Sequence, residues 1–307
     1  MRVVLAGAAG FVGSHLTAEF LRRGDEVVAV DNYITGRTEN LRALGASSRL
    51  SVMEHDVAKP LQVTGSVDAV LHLASPASPP DYLRHPIATL DAGTAGTRAL
   101  LELAREKGAR FLLGSTSEVY GDPSVHPQPE EYWGNVNPVG PRSVYDEAKR
   151  CAEAYTMAYH RGGLDTGIAR IFNTYGERMR PKDGRAIPNF ISQALRGEEV
   201  TVYGDGSQTR SLCYVSDLVD GLLQLLASTE NRPVNLGSQD EVTMTHLAER
   251  IIALVGSGRL VYRPLPEDDP RQRRPDTTRA LQVLGWSPKV DLGDGLERTL
   301  AWFRTVV

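Results

Sequence analysis

The chain has 307 residues, 41% hydrophobic and 23% charged, with a formal net charge of -4. This is ordinary globular composition, long enough for a sizeable core, and it excludes a disordered chain. The acidic balance offers no basic face for nucleic acid, and the short cluster Arg271, Arg273 and Arg274 suits a small anion at most.

In chain order, the apolar start Val3-Val4-Leu5 is broken by glycine too soon for a signal peptide or a membrane span. Strand-like runs at 2–6, 26–30, 50–53, 68–73, 110–115 and 167–171 are rich in Val, Leu and Ile without strict alternation. Such runs belong to strands buried on both faces of a parallel sheet. Helical patterns at 12–23, 86–107 and 142–161 lie between them. The expected fold class is therefore α/β, with a Rossmann-type doubly wound parallel sheet.

Beyond Ile171 the pattern changes. A polar loop at 175–185 precedes a helix at 186–196, a strand at 199–203, a turn-rich loop at 204–210 and a helix at 217–227. Helices at 244–255 and 292–303 flank the charged, proline-bearing stretch 264–276. We expect a doubly wound domain over 1–172 and a smaller, interwoven α/β lobe over 173–307, with 208–237 returning to the first. Cys151 and Cys213 lack CxxC spacing, so neither a disulfide framework nor a metal site is expected; reduced cytoplasmic thiols fit best.

Gly7, Gly10 and Gly13 recur every third residue between the first strand and the first helix, with Phe11 and Val12 inside the turn. Glycine allows the tight turn, the approach of a pyrophosphate to backbone N–H groups, and close helix–strand packing. The positive end of the helix then faces the phosphates. Asp31 ends the second strand, followed by Asn32, Gly36 and Arg37. A carboxylate there accepts from ribose hydroxyls and repels a 2′-phosphate, which favours NAD over NADP, whereas Arg37 is the residue that argues for a phosphate. Asp56 and Val57 follow the third strand and either meet the adenine or simply pack. Leu73, Ala74 and Ser75 follow the fourth and either line the nicotinamide half or do likewise.

Tyr145 and Lys149 sit one turn apart at the start of a helix, hence on one face. A phenol near pKa ~10 is a poor base at neutral pH, and an adjacent ammonium favours its phenolate. Together with the glycine turn, this pair resembles the extended short-chain dehydrogenase/reductases that act on nucleotide sugars, the NAD-dependent epimerase/dehydratase family. The stretches Ala74–Pro80, Ser115–Gly121, Ala169–Asn173, Tyr203–Arg210, Tyr214–Asp217 and Arg273–Asp276 resemble the branch of that family that removes CO2 from UDP-glucuronate to give UDP-xylose.

The resemblance implies a first domain that binds NAD, a lobe that binds the UDP-sugar, and a closed redox cycle. Tyr145 takes the C4 proton, Lys149 orients the cofactor ribose, and Thr116 bridges the C4 hydroxyl to the phenol. Ser117, Glu118 and Arg273 match residues around the departing carboxylate. Asn173, Arg185 and Arg210 match positions that hold UDP, and Tyr82 one near the sugar. The role of Glu118 stays open between positioning a water, acid–base work and expulsion of CO2. Gly93 stands where relatives commonly carry asparagine. Relatives also pair the helices 86–107 and 142–161 across a homodimer, and here these carry apolar residues on more than one face (Leu100, Leu101, Leu103; Ala152, Tyr155, Met157). The other readings are a nucleotide-sugar 4,6-dehydratase, for which Ser117 replaces the needed acid, a 4-epimerase, and a cofactor-binding regulator without turnover.

Overall fold

A computed structural model describes residues 1–265 and 272–307, so Arg271 of the basic cluster lies outside the described residues. Apolar stretches form the central sheet: β1 (Arg2–Ala6), β2 (Glu26–Asp31), β3 (Leu50–Glu54), β4 (Ala69–His72), β5 (Arg110–Thr116), β6 (Thr166–Ile171) and, later in the chain, β11 (Pro233–Leu236). All seven run parallel in the order β11-β6-β5-β4-β1-β2-β3. Val3, Val4 and Leu5 of β1 are fully buried because helices cover both faces. The chain reverses direction across the sheet between β1 and β4, and at that switch point the C-terminal strand ends open a crevice.

The remaining strands are short: β7 (Thr174–Tyr175), β8 (Glu199–Tyr203), β9 (Thr209–Ser211), β10 (Cys213–Tyr214), β12 (Glu241–Thr243), β13 (Arg259–Arg263) and β14 (Gln272–Arg273). β13 pairs with β8, β10 with β7, and β9 lies between β12 and β14. This corrects the expected loop at 204–210: its last residues are strand, because two distant segments supply their backbone partners. The pairing sets Arg273 directly beside Arg210.

The stretch 86–107 is not one regular helix. Helices Pro86–Asp91 and Thr97–Lys107 are joined by a π-helical turn, Ala92–Gly96. Small residues there admit neighbours at contact distance, since a Cβ on Gly93 would lie 2.7 Å from Ala148 Cβ and one on Gly96 2.8 Å from Val57 Cγ2. Leu100, Leu101, Leu103 and Ala152 are spent on the chain's own core. What these helices turn outward is Ile87, with Ala154 and Ala158 exposed and Tyr155 and Met157 half-buried. A further short helix, Pro79–Arg84, lay unread in the sequence, and it carries Tyr82 toward the crevice.

Candidate active site

Two adjoining cavities, of about 580 and 300 Å³, fill the crevice and share Gly7, Gly10, Leu73 and Ser75 in their walls. The smaller is lined by Asp31, Asn32, Gly36, Asp56, Val57 and Ala74. Phe11, Val12, Gly13 and Arg37 lie in the larger, with the remaining sequence-predicted residues.

The glycine turn is a cradle made by missing atoms. Gly7 has φ +83°, and a Cβ there would lie 2.7 Å from the Ala74 backbone N; one on Gly13 would lie 2.0 Å from the Gly7 carbonyl oxygen. Gly10 caps the helix Phe11–Arg22 with no side-chain partner for its first N–H groups. Asp31 accepts from the backbone N–H of Ala9 (2.9 Å) and Tyr33 (2.8 Å). Burial pushes its carboxyl upward, and these donors oppose the shift. A Cβ on Gly36 would fall 2.6 Å from Asp31 Oδ1, so a larger residue there would require that carboxylate to shift. Arg37 turns to Glu39, with 3.5 Å between Nε and the carboxylate. A backbone cradle at a helix N-terminus and a buried carboxylate at the next strand end fit a dinucleotide with a free ribose 2′-hydroxyl.

The helix Ser143–Arg161 presents Tyr145 and Lys149, 6% and 3% exposed. Lys149 Nζ donates to the Gly114 carbonyl (2.8 Å) and lies 5.9 Å from the Tyr145 ring centroid. Burial pushes the Lys149 ammonium down to about 8, with Glu153 pulling the other way. Glu153 itself accepts from Ser115 Oγ (2.6 Å) and from Arg170 Nη2 (2.7 Å) behind the site. Burial pushes the Tyr145 phenol above its ordinary value, against the Thr116 hydroxyl. The Tyr82 ring stacks on Tyr145, centroids 5.5 Å apart and 9° from parallel.

Thr116 ends β5, and its hydroxyl accepts from the Glu118 N–H (3.2 Å), which caps the single turn Ser117–Tyr120. That turn aims Glu118 between two guanidiniums. Arg142 Nη2 donates to Oε2 at 2.8 Å, and Arg273 Nη1 donates to Oε1. Arg273 Nη2 also donates to the Gly121 carbonyl (2.9 Å). Burial alone would raise the Glu118 carboxyl, but Arg273 and Arg142 outweigh it and hold it well below the usual carboxylate range. Asp146, beside Tyr145, moves the opposite way: burial and then the Glu118 charge raise it. Buried here without a hydrogen-bond partner are Arg273 Nε, the Tyr82 hydroxyl and Asp146 Oδ1.

At the far wall Asn173, Arg185 and Arg210 line the same cavity. Arg185 pairs with Asp183 (2.5 and 2.9 Å), and Arg210 donates to the Thr209 carbonyl (2.9 Å). Arg180 on this loop pairs with Asp81, next to Tyr82. Sequence reasoning did not single out Arg142, Asp146 or Glu153. Arg142 looked only like a helix start, and nothing local announces a partner 24 residues upstream. Among the described residues there is no cluster of metal-ligating side chains, and no helix is long and apolar enough to cross a membrane.

A doubly wound sheet with a glycine cradle, a strand-end carboxylate and a Tyr–Lys pair over one crevice defines a dinucleotide-dependent sugar-modifying class. Residues 3–237 match the NAD dependent epimerase/dehydratase family, and the chain belongs to it. It is 51% identical over 304 residues to UDP-glucuronic acid decarboxylase 1 of Danio rerio, covering 98% of this chain and 72% of that protein. Identity to UDP-glucuronic acid decarboxylase 3 of Arabidopsis thaliana is 52% over 299 residues, covering 96% and 87%. Among solved structures, UDP-glucose 4-epimerase of Thermotoga maritima with UDP-glucose superposes with a TM-score of 0.90 at 30% identity, covering 100% of this chain and 99% of that one. The dTDP-glucose 4,6-dehydratase of Streptomyces venezuelae, solved with NAD and TYD, gives 0.90 at 27%, covering 99% and 97%.

Proposed function

We propose that this protein converts UDP-glucuronate to UDP-xylose and CO2, with NAD oxidising C4 of the sugar and then reducing it again. The observation that carries the reading is the 51% identity, over nearly the whole chain, with UDP-glucuronic acid decarboxylases. The site chemistry supports it.

When bound, NAD accepts a hydride from C4 and returns it. The chain's residues do the rest. Gly7, Gly10 and Gly13 open the backbone to the pyrophosphate, and Asp31 accepts from the ribose. Lys149, charged at neutral pH, stabilises the phenolate of Tyr145, which takes the C4 hydroxyl proton through or beside Thr116. The resulting 4-keto sugar carries its carboxylate β to a ketone, so the C5–C6 bond breaks with its electron pair delocalised onto O4 and CO2 leaves. C5 then takes a proton, and Tyr145 gives its proton back to O4 as the hydride returns. Arg273 and Arg142 hold charge of the right sign for the carboxylate, Arg185 and Arg210 hold it for the diphosphate, and Asn173 offers an amide for hydrogen bonding to the UDP.

Elimination of water fits less well. Ser117 supplies no acid, and Glu118 is kept ionised by two guanidiniums. We also propose a cytoplasmic homodimer joined through helices 86–107 and 142–161, with Ala154, Tyr155 and Ala158 outward. Sedimentation showing only monomer counts against it.

The deciding experiment incubates purified protein with UDP-glucuronate, with and without added NAD, and follows product mass. Loss of CO2 is expected. An unchanged mass with inverted C4 would indicate an epimerase, and loss of water from a neutral hexose nucleotide a dehydratase.

A further inference from the structure

The helix Pro79–Arg84 has six residues, too few to hold its shape alone. It nevertheless carries Tyr82, whose ring lies on that of Tyr145 and whose hydroxyl has no partner to fix it. Ala77, Pro80 and Leu83 are exposed and also line the larger cavity, so this segment forms part of its rim. Its support comes from a distant part of the chain. Asp81, 4% exposed, accepts from Ser78 Oγ at 2.6 Å within its own segment and from Arg180 Nη2, 99 residues further on. Arg84 is a looser and largely exposed neighbour of Asp81, at 3.8 Å.

The segment 176–185 supplies Met179, Arg180, Asp183 and Gly184 to the same cavity wall. It is anchored in turn to the helix Ala186–Leu195. There Asn189 Nδ2 donates to the Gly184 carbonyl (3.0 Å) and Ser192 Oγ to the Pro181 carbonyl (3.2 Å). Gly184 has φ +93°, and a Cβ there would fall onto the Pro80 ring, so the two segments touch directly. The Arg180–Asp81 ion pair therefore joins two walls of one cavity. A carboxylate this buried binds its guanidinium firmly, and removing that partner is strongly unfavourable.

In the proposed cycle the 4-keto sugar waits between loss of CO2 and return of the hydride. Escape in that interval balances as UDP-glucuronate and NAD giving CO2, reduced cofactor and a UDP-4-ketopentose two hydrogens short of UDP-xylose. Oxidation needs the walls together for most of the time, whereas escape needs them apart only once. Retention is then the property most sensitive to whatever joins them.

We propose that the Arg180–Asp81 ion pair is a strap that keeps the 4-keto intermediate beside the cofactor until the hydride returns, so that both are positioning residues that decide the product. This rests on the reading of the site as one that decarboxylates UDP-glucuronate.

The test follows NAD-loaded protein with UDP-glucuronate, separating UDP-xylose from UDP-4-ketopentose by mass and reading the reduced cofactor left behind by absorbance. The parent should release mostly UDP-xylose. Arg180→Met should raise the ratio of ketone to UDP-xylose roughly tenfold, with CO2 formation slowed far less. Arg180→Lys keeps the charge without the planar fork and should lie between the two. Asp81→Asn can keep the Ser78 hydrogen bond and should raise the ratio likewise, an arm that stands even where Arg180→Met folds poorly. UDP, which cannot react, should dissociate faster from both variants in stopped flow. A ratio and a UDP dissociation rate that stay at parent values overturn the inference. So does a loss of CO2 formation as large as the change in ratio, which marks a general distortion of the site. A parent that forms no CO2 overturns the substrate reading instead, and UDP dissociation then still decides whether the pair is a strap.

Discussion

The two ends of the crevice are built by different physics. At the proposed cofactor end the decisive feature is absence: a Cβ on Gly7, Gly13 or Gly36 would press on its neighbours, and the wall is made of backbone and Asp31. At the sugar end the decisive feature is presence, three side-chain charges brought from 118, 142 and 273 into contact. A backbone cradle should therefore be intolerant of single atoms and indifferent to charge. A charge clamp should tolerate changes of shape that conserve charge.

The largest effect should come from adding one methyl group to the cradle. In Gly13→Ala the new Cβ would start 2.0 Å from the Gly7 carbonyl, which the turn can relieve only by moving the backbone. Titration should show NAD affinity lower by about 100-fold or more. An affinity within a few-fold of the parent would mean that the turn is softer than its geometry, and the contrast between the two ends would weaken.

Lys149→Met probes the point where the two ends meet. Turnover should fall by about 10²–10⁴-fold, while the protein without cofactor melts higher. The sign follows from burial. The folded-state value is about 8, below the ordinary lysine value, so the folded chain binds fewer protons than the unfolded one between the two. The stability cost of the buried ammonium is full below about pH 8 and fades as pH rises toward ~10. The gain in melting midpoint should be greatest near neutral pH and shrink on the alkaline side. A gain independent of pH would exclude the buried charge as its source.

The smallest effect is expected at the seam between the helices. Gly93→Asn places a Cβ 2.7 Å from Ala148 Cβ and 2.8 Å from its carbonyl oxygen, one residue from Lys149. The cost should be about 1–3 kcal/mol, read as a lower melting midpoint, with Ala148→Gly recovering part of it. An unchanged midpoint would show that the seam can open.

Much of the molecule was legible beforehand because its signals are local. Strand β1 follows from the apolar run Val3-Val4-Leu5, and the helices Met244–Val255 and Leu292–Phe303 have the ends that their apolar period predicts. The boundaries of the sheet strands differ by about a residue, where hydrogen bonding extends them to Asp31, Glu54 and Thr116. The π-helical turn was not legible, since its cause is the surface of another helix at Ala148. Nor was β9, whose residues pair with segments some 30 and 60 residues further on.

The sequence by itself determined the doubly wound fold, the glycine cradle and the Tyr145–Lys149 pair, because each depends on residues within a turn or a strand of one another. It also placed Glu118 and Arg273 near the departing carboxylate, but only through resemblance, and left the acid's role open. Tertiary structure decided what that acid is worth. Folding brings Arg142 and Arg273 to its two oxygens in a buried site, where charges interact strongly and the sign of their sum depends on every member present. No pattern along the chain records such a sum.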